Sequence, residues 1–223
     1  MCGRFTLYTP KPTLQDRFQF ELMDDVSTRY NIAPSQLILS VVNDHGKRKG
    51  VFLRWGLIPS WAKDQKIGYK MINARAETVD EKPSYRRLLA RKRCLILANG
   101  FYEWKKTDNG KQPYLIGLKS GKPFAFCGLW DQWQAKEYGD IIYSCTIITT
   151  KPNGLMKPIH GRMPSILQRD DEETWLDPNI SDSAYLKSLL HPYSDDDMTA
   201  VPVSTLVNSP RNDTAECLNP ISM

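Results

Sequence analysis

The sequence predicts an α+β fold: one domain over residues 1–223, mostly antiparallel β-sheet, curled or barrel-like, with a few peripheral helices. Three observations carry that expectation. Segments rich in β-branched and aromatic residues recur along the chain and outnumber stretches with helical spacing. Two tight-turn signals, Asn109-Gly110 in TDNGK and Gly121 in KSGK, stand between strand-like segments. No repeat, low-complexity tract or Gly/Ser linker divides the chain.

In chain order, residues 12–22 space Leu14, Phe18 and Leu22 four apart behind Pro12, the pattern of an amphipathic helix. Strands follow at 36–42 (QLILSVV) and 50–55 (GVFLRW). Residues 71–77, if extended, put Asn73, Arg75 and Glu77 on one face and Ile72, Ala74 and Ala76 on the other. A helix over 83–93 carries Tyr85, Leu88 and Leu89 on one side. One long strand is expected over 94–106; the turn signals pair 101–106 with 113–118, and 113–118 with 123–130, as a meander. A strand at 141–150, helices at 170–176 and 182–190 (the second opened by Ser181 or Asp182), and a strand at 199–204 complete the chain.

The composition bounds the function. With 41% hydrophobic and 25% charged residues the chain is an ordinary globule with a core. No run of about 18 apolar residues offers a membrane span, and the N-terminus has no secretory pattern, which predicts a cytoplasmic protein. Five scattered cysteines with no Cys-x-x-Cys give neither a disulfide framework nor a zinc site, and Cys94, Cys127 and Cys145 read as core. No metal or cofactor is expected. The formal charge of +5 is a mild lean, but basic residues cluster in RRLLARKR (86–93) and KRK (47–49), while DDD occupies 195–197. Such a run is a solvated face or a phosphate contact, and residue chemistry leaves both open.

Several stretches carry chemistry. In MCGRF, trimming of Met1 would leave Cys2 with an α-amine and a thiol on one residue. In INARAET, Asn73 and Arg75 belong either to a solvated strand face or to a cleft that holds an oxygen and a phosphate. In FYEW, Glu103 lies among aromatic rings, either as an acid/base with a raised pKa or as a surface side chain opposite lysine. His160, in KPIHGRMP, sits in a Pro- and Gly-containing loop two residues before Arg162. Trp55 and Trp61 flank the turn in RWGLIPSW, as core residues or as stacking platforms for bases.

Taken in order, MCGRF, RYNIAPSQ (29–36), RWGLIPSW, INARAET, CLILANGFYEW, IITTKPN, IHGRMP and the closing VNSPRND and CLNP resemble the SRAP family, the SOS-response-associated peptidase-like proteins, over nearly the whole chain. The resemblance implies a DNA-damage function: sensing abasic sites in single-stranded DNA, including single-/double-strand junctions, and becoming covalently attached to them, as a monomer. It implies Cys2 as nucleophile, with Asn73, Glu103 and His160 completing the catalytic set. It assigns Arg4, Arg75, Arg162 and Thr149 to the DNA near the lesion, and Trp61 and Pro34 to flanking bases. The loop after His160 reads GRMP where other members can carry a second charged residue, a difference that touches affinity more than chemistry.

Residue chemistry gives that implication a route. A Cys2 amine attacks the aldehyde of a ring-opened abasic sugar and loses water to form an imine. The thiol then adds to the imine carbon and closes a thiazolidine. Three other readings stand beside this one: an autoproteolytic peptidase with an N-terminal cysteine nucleophile, a DNA-binding module without chemistry, and an abasic-site lyase that stops at the imine.

Overall fold

The computed structural model describes residues 2–108, 110–135 and 139–221. Among the described residues twelve strands run in chain order: β1 Phe5–Leu7, β2 Arg29–Ile32, β3 Leu37–Asp44, β4 Lys47–Trp55, β5 Asn73–Arg75, β6 Arg93–Ala98, β7 Gly100–Thr107, β8 Gly110–Leu118, β9 Phe124–Gln134, β10 Ile141–Thr150, β11 Met163–Pro164 and β12 Met198–Pro202. Four helices, α1 Lys11–Phe18, α2 Pro83–Arg91, α3 Asp171–Leu176 and α4 Ser183–Ser188, lie between them. The α+β class, mostly antiparallel and barrel-like, is what the sequence predicts.

Two sheets form. In one, β10, β4, β3, β6 and β9 pair in turn and β9 pairs back to β10, closing a five-stranded barrel, with β5 and β11 attached to β10. The other has the order β12-β8-β7-β1-β2. The named ladders are antiparallel except where β10 meets β4 and β5. Aromatic rings join the two sheets: Phe5 packs edge-on against Trp55 (5.2 Å) and Phe126 (5.7 Å), and Phe126 meets Phe101 at 6.1 Å. Cys94, Cys127 and Cys145 are fully buried and free, as their apolar runs predict.

Several expected elements come out differently. The strand expected over 94–106 is two strands in different sheets, β6 in the barrel and β7 in the open sheet, broken at Asn99. The Asn99 Oδ1 accepts the N–H groups of Tyr8 (2.8 Å) and Thr9 (3.0 Å), so this side chain anchors the switch between sheets. The break also undoes the expected meander. β7 pairs with β8, Thr107 opposite Gly110, but β8 then pairs with β12 while β9 joins the barrel. The turn residue Asn109 lies outside the described residues. The first helix stops at Phe18 because Gln19 takes a left-handed conformation (φ 55°), so Leu22 packs from outside it. Residues 71–77 are extended only over Asn73–Arg75 before a 3₁₀ turn at Ala76–Thr78. The short strands β1, β2 and β11 have too few residues to show a period of two in sequence.

The basic run 86–93 divides. Arg86, Arg87 and Arg91 are exposed on α2, whereas Arg93 is 5% exposed and donates to Trp175 O and Leu89 O, burial lowering its pKa to about 10. Asn31, fully buried on β2, is the hub that ties the C-terminal VNSPRND stretch down. Its Nδ2 donates to Val207 O, Ser209 O and Asn212 O, and its Oδ1 accepts from Arg4 Nη1. Asn31→Ala leaves those buried groups short of partners, and we expect a stability loss of about 2–3 kcal/mol in urea denaturation.

Candidate active site

The pairing of β1 with β7 positions the start of the chain. Phe5 lies opposite Phe101 and Thr6 opposite Gly100, and the Tyr102 N–H donates to Arg4 O at 2.9 Å. Carried toward the N-terminus, this register brings Cys2 beside Glu103, whose charge acts on the Cys2 thiol. Cys2 is fully buried. Burial first, and the Glu103 carboxylate second, push the thiol pKa far above its usual range, so at neutral pH the sulfur stays protonated until a base takes its proton.

Glu103 is 3% exposed. The surface reading is therefore wrong for this residue, and desolvation raises its pKa while the facing imidazole of His160 works against the rise. His160 Nδ1 lies 3.9 Å from Glu103 Oε1. The same nitrogen sits 3.1 Å from the Arg162 N–H and 3.0 Å from Arg162 O. A neutral ring accepts at Nδ1 from that N–H; a protonated ring donates from Nδ1 to that carbonyl. His160 thus has a partner at Nδ1 whichever tautomer or charge the ring carries.

Asn73 and Arg75 arrive on β5, which runs parallel to β10 with Asn73 opposite Ile147 and Arg75 opposite Thr149. Asn73 Nδ2 donates to Ile72 O at 3.0 Å, while its buried Oδ1 accepts no hydrogen bond from the described residues. A buried open acceptor suits a hydroxyl or an amine N–H. Arg75 is exposed. Thr149 is fully buried; its carbonyl and Oγ1 accept from Arg162 Nη2 at 2.5 and 3.2 Å. Arg162 also forms a two-pronged pair with Glu77, Nη1 to Oε1 at 2.6 Å and Nη2 to Oε2 at 2.9 Å.

The remaining candidates are Arg4, Trp61 and Pro34. Arg4 Nη1 donates to Asn31 Oδ1 (2.8 Å) and Val207 O (2.7 Å), so part of its guanidinium holds the C-terminal segment. Trp61 is 60% exposed, unlike the buried Trp55, and rims a groove of about 250 Å³ with Arg87, Arg91 and Lys92. Gly56, at φ 128° with the Gly68 carbonyl 2.7 Å from where a Cβ would stand, turns the chain into the loop that presents Trp61. Pro34 is half-buried in the turn after β2. The fold thus brings Cys2, Glu103 and His160 together directly, and Asn73, Arg75, Thr149 and Arg162 through the β5–β10 ladder. Trp61 and Pro34 sit on separate loops. Sequence reasoning gave no role to Glu77, although the alternation Asn73, Arg75, Glu77 already put it on their face.

Among the described residues no group of three or more His, Cys, Asp or Glu side chains is arranged to hold a metal ion, and no helix is long and apolar enough to cross a membrane. Residues 1–210 match the family described as SOS response associated peptidase (SRAP). The chain is 54% identical to the abasic site processing protein YoaM of Bacillus subtilis, covering 98% of both chains. It is 36% identical to the abasic site processing protein HMCES of Xenopus tropicalis over 87% of this chain and 67% of that one. A crystal structure of a Bacteroides thetaiotaomicron protein superposes with a TM-score of 0.90 at 28% identity, covering 99% of this chain and all of that one (100%).

Proposed function

We propose, from the premise that this chain belongs to the SOS response associated peptidase family, that it processes abasic sites in single-stranded DNA by capturing them covalently on Cys2 once Met1 is gone. The observation that carries this reading is the buried Cys2 beside a buried carboxyl, Glu103, which faces His160 at 3.9 Å. An α-amine and a thiol on one residue need a base for each proton they give up, and Glu103 is the nearby base.

The steps balance as follows. The protein's own peptidase chemistry hydrolyses the Met1–Cys2 peptide bond: water adds its oxygen to the Met1 carbonyl carbon, which leaves as a carboxylate, and a proton passes to the Cys2 nitrogen, freeing the amine. The amine nitrogen attacks the sugar aldehyde carbon and passes a proton to Glu103. The former carbonyl oxygen takes that proton back to give the carbinolamine, and then leaves as water with the second N–H proton, relayed by the same carboxyl, so a neutral imine remains. The sulfur bonds to the imine carbon as its proton moves to nitrogen, closing a five-membered ring. Ring closure is intramolecular, a class of step with effective molarities of about 10⁵ M or more. It removes the imine before the 3′ phosphate is eliminated; lyase activity is the leak from that intermediate. His160 delivers a proton to the ring oxygen while the anomeric hydroxyl gives its own to water, opening the sugar to the aldehyde, and the open Oδ1 of Asn73 accepts from a sugar hydroxyl.

Arg4, Arg75 and Arg162 contact phosphates, with Thr149 acting through Arg162. Trp61 and Pro34 stack on flanking bases, Trp61 with the basic face of α2 beside it. The protein works as a monomer in the cytoplasm, at the nucleoid when bound to DNA. Arg75→Ala is expected to weaken DNA binding at every sequence and to lower the slope of log K against log salt by about 1, read by fluorescence anisotropy across a salt series.

The test of the reading is a denaturing gel of protein mixed with a single-stranded oligonucleotide bearing one abasic site. A band that survives heat and detergent without borohydride is expected. A band only after borohydride reduction would leave the lyase reading instead, and no band under either condition would overturn DNA capture altogether.

A further inference from the structure

Glu77 lies two residues beyond Arg75, in the 3₁₀ turn that ends β5. Both its carboxylate oxygens hold Arg162, at 2.6 and 2.9 Å, and that hydrogen bonding lowers its own carboxyl pKa. The turn is pinned from behind: Lys187 Nζ on α4 donates to Glu77 O at 2.8 Å and pairs with Asp80 at 2.7 Å. From the other side Thr149 accepts twice from Arg162 Nη2. The Arg162 guanidinium is therefore clamped between two elements, and the side chain tethers its own backbone to them. That backbone carries both groups that flank His160 Nδ1, at 3.0 and 3.1 Å.

We propose that Glu77 is a positioning residue for the capture reaction: through Arg162 it sets the His160 ring against Glu103. This rests on the function proposed above. Glu77 touches neither Cys2 nor Glu103 through any of these bonds, so its effect passes through two intermediaries, the Arg162 side chain and the Arg162 peptide. The anchor is itself partly open to solvent, Glu77 at 38% side-chain exposure against 17% for Arg162, so a change of charge there leaves the core undisturbed.

The test compares Glu77→Gln with the unaltered protein, reading the first-order rate of adduct formation at saturating abasic oligonucleotide, the Kd for an intact oligonucleotide, and the melting temperature. The rate is expected to fall between about tenfold and 100-fold, the scale of a misplaced catalytic group, with the melting temperature held and Kd changed by less than about threefold. The decisive measurement is a cycle with His160→Ala. If Glu77 acts through the imidazole, Glu77→Gln costs nothing further once the ring is gone. An undiminished rate in Glu77→Gln, a loss confined to Kd, or an undiminished additional loss in the His160→Ala background would each overturn the proposal. Should Glu77→Gln fold poorly, Glu77→Asp, which keeps the charge on a shorter arm, is read by the same cycle. Absence of any adduct with the unaltered protein would instead sink the capture reaction itself.

Discussion

Cys2→Ala abolishes the heat-stable adduct and leaves an imine that only borohydride can trap. Alanine in second place is small enough for ordinary methionine trimming, so the variant reaches a free α-amine without the protein's own peptidase chemistry, and attack on the aldehyde and loss of water proceed. What is missing is the sulfur that closes the ring, and an open imine hydrolyses on heating. Because ring closure draws on an effective molarity of about 10⁵ M, the yield of stable adduct is expected to fall by at least about 100-fold. DNA binding should change little, since the Cys2 side chain is buried and faces Glu103 rather than solvent. Gel quantification with and without borohydride, beside anisotropy with intact DNA, checks both halves. Wild-type yield of a heat-stable band from Cys2→Ala would end the ring mechanism.

Glu103→Gln is expected to slow adduct formation by about 100-fold or more, the usual worth of a positioned general base. The pH profile separates this role from simple damage. Burial raises the Glu103 pKa above the ordinary carboxylate range, so the wild-type rate climbs with pH as this group and the Cys2 amine both lose protons. Below both pKa values log rate should rise with a slope of about 2; with glutamine only the amine titrates, and the slope drops to about 1. Stability gives a second reading with a definite sign. A carboxyl whose folded pKa is raised binds its proton more tightly folded than unfolded, so its contribution is fully favourable below the ordinary value. That contribution is lost as pH rises through the raised one. Glu103→Gln removes this loss and should melt higher than the unaltered protein at pH 7 but not at pH 4. An unchanged rate profile together with an unchanged melting difference would take the acid/base role away from Glu103.

Much of the site was legible residue by residue. Cys2 declared itself by position, since no internal cysteine offers an amine and a thiol together. Glu103 was marked by flanking aromatic rings, and the structure resolves its two readings by burying it. Thr149 was legible only through the family resemblance; its complete burial means its polar atoms serve Arg162 rather than the surface. Arg4 likewise spends Nη1 on Asn31 and Val207. Those partners lie 27 and 203 positions away, beyond the reach of any local pattern.

The sequence by itself determined the strand-rich class, the helices α2, α3 and α4 in outline, the buried cysteines and the cysteine that stands second in the chain, because each follows from periodicity, turn chemistry or the covalent identity of one residue. Only the tertiary structure decided that residues 94–106 split between two sheets at Asn99, that β8 turns to β12 rather than β9, and that the barrel closes through β9 and β10. It also decided that Glu103 lies beside Cys2 and faces His160. The physical reason is that strand partners and buried charges are chosen by non-local pairing. Hydrogen-bond satisfaction and desolvation act between residues a hundred positions apart, and no window along the chain contains both sides of such a contact.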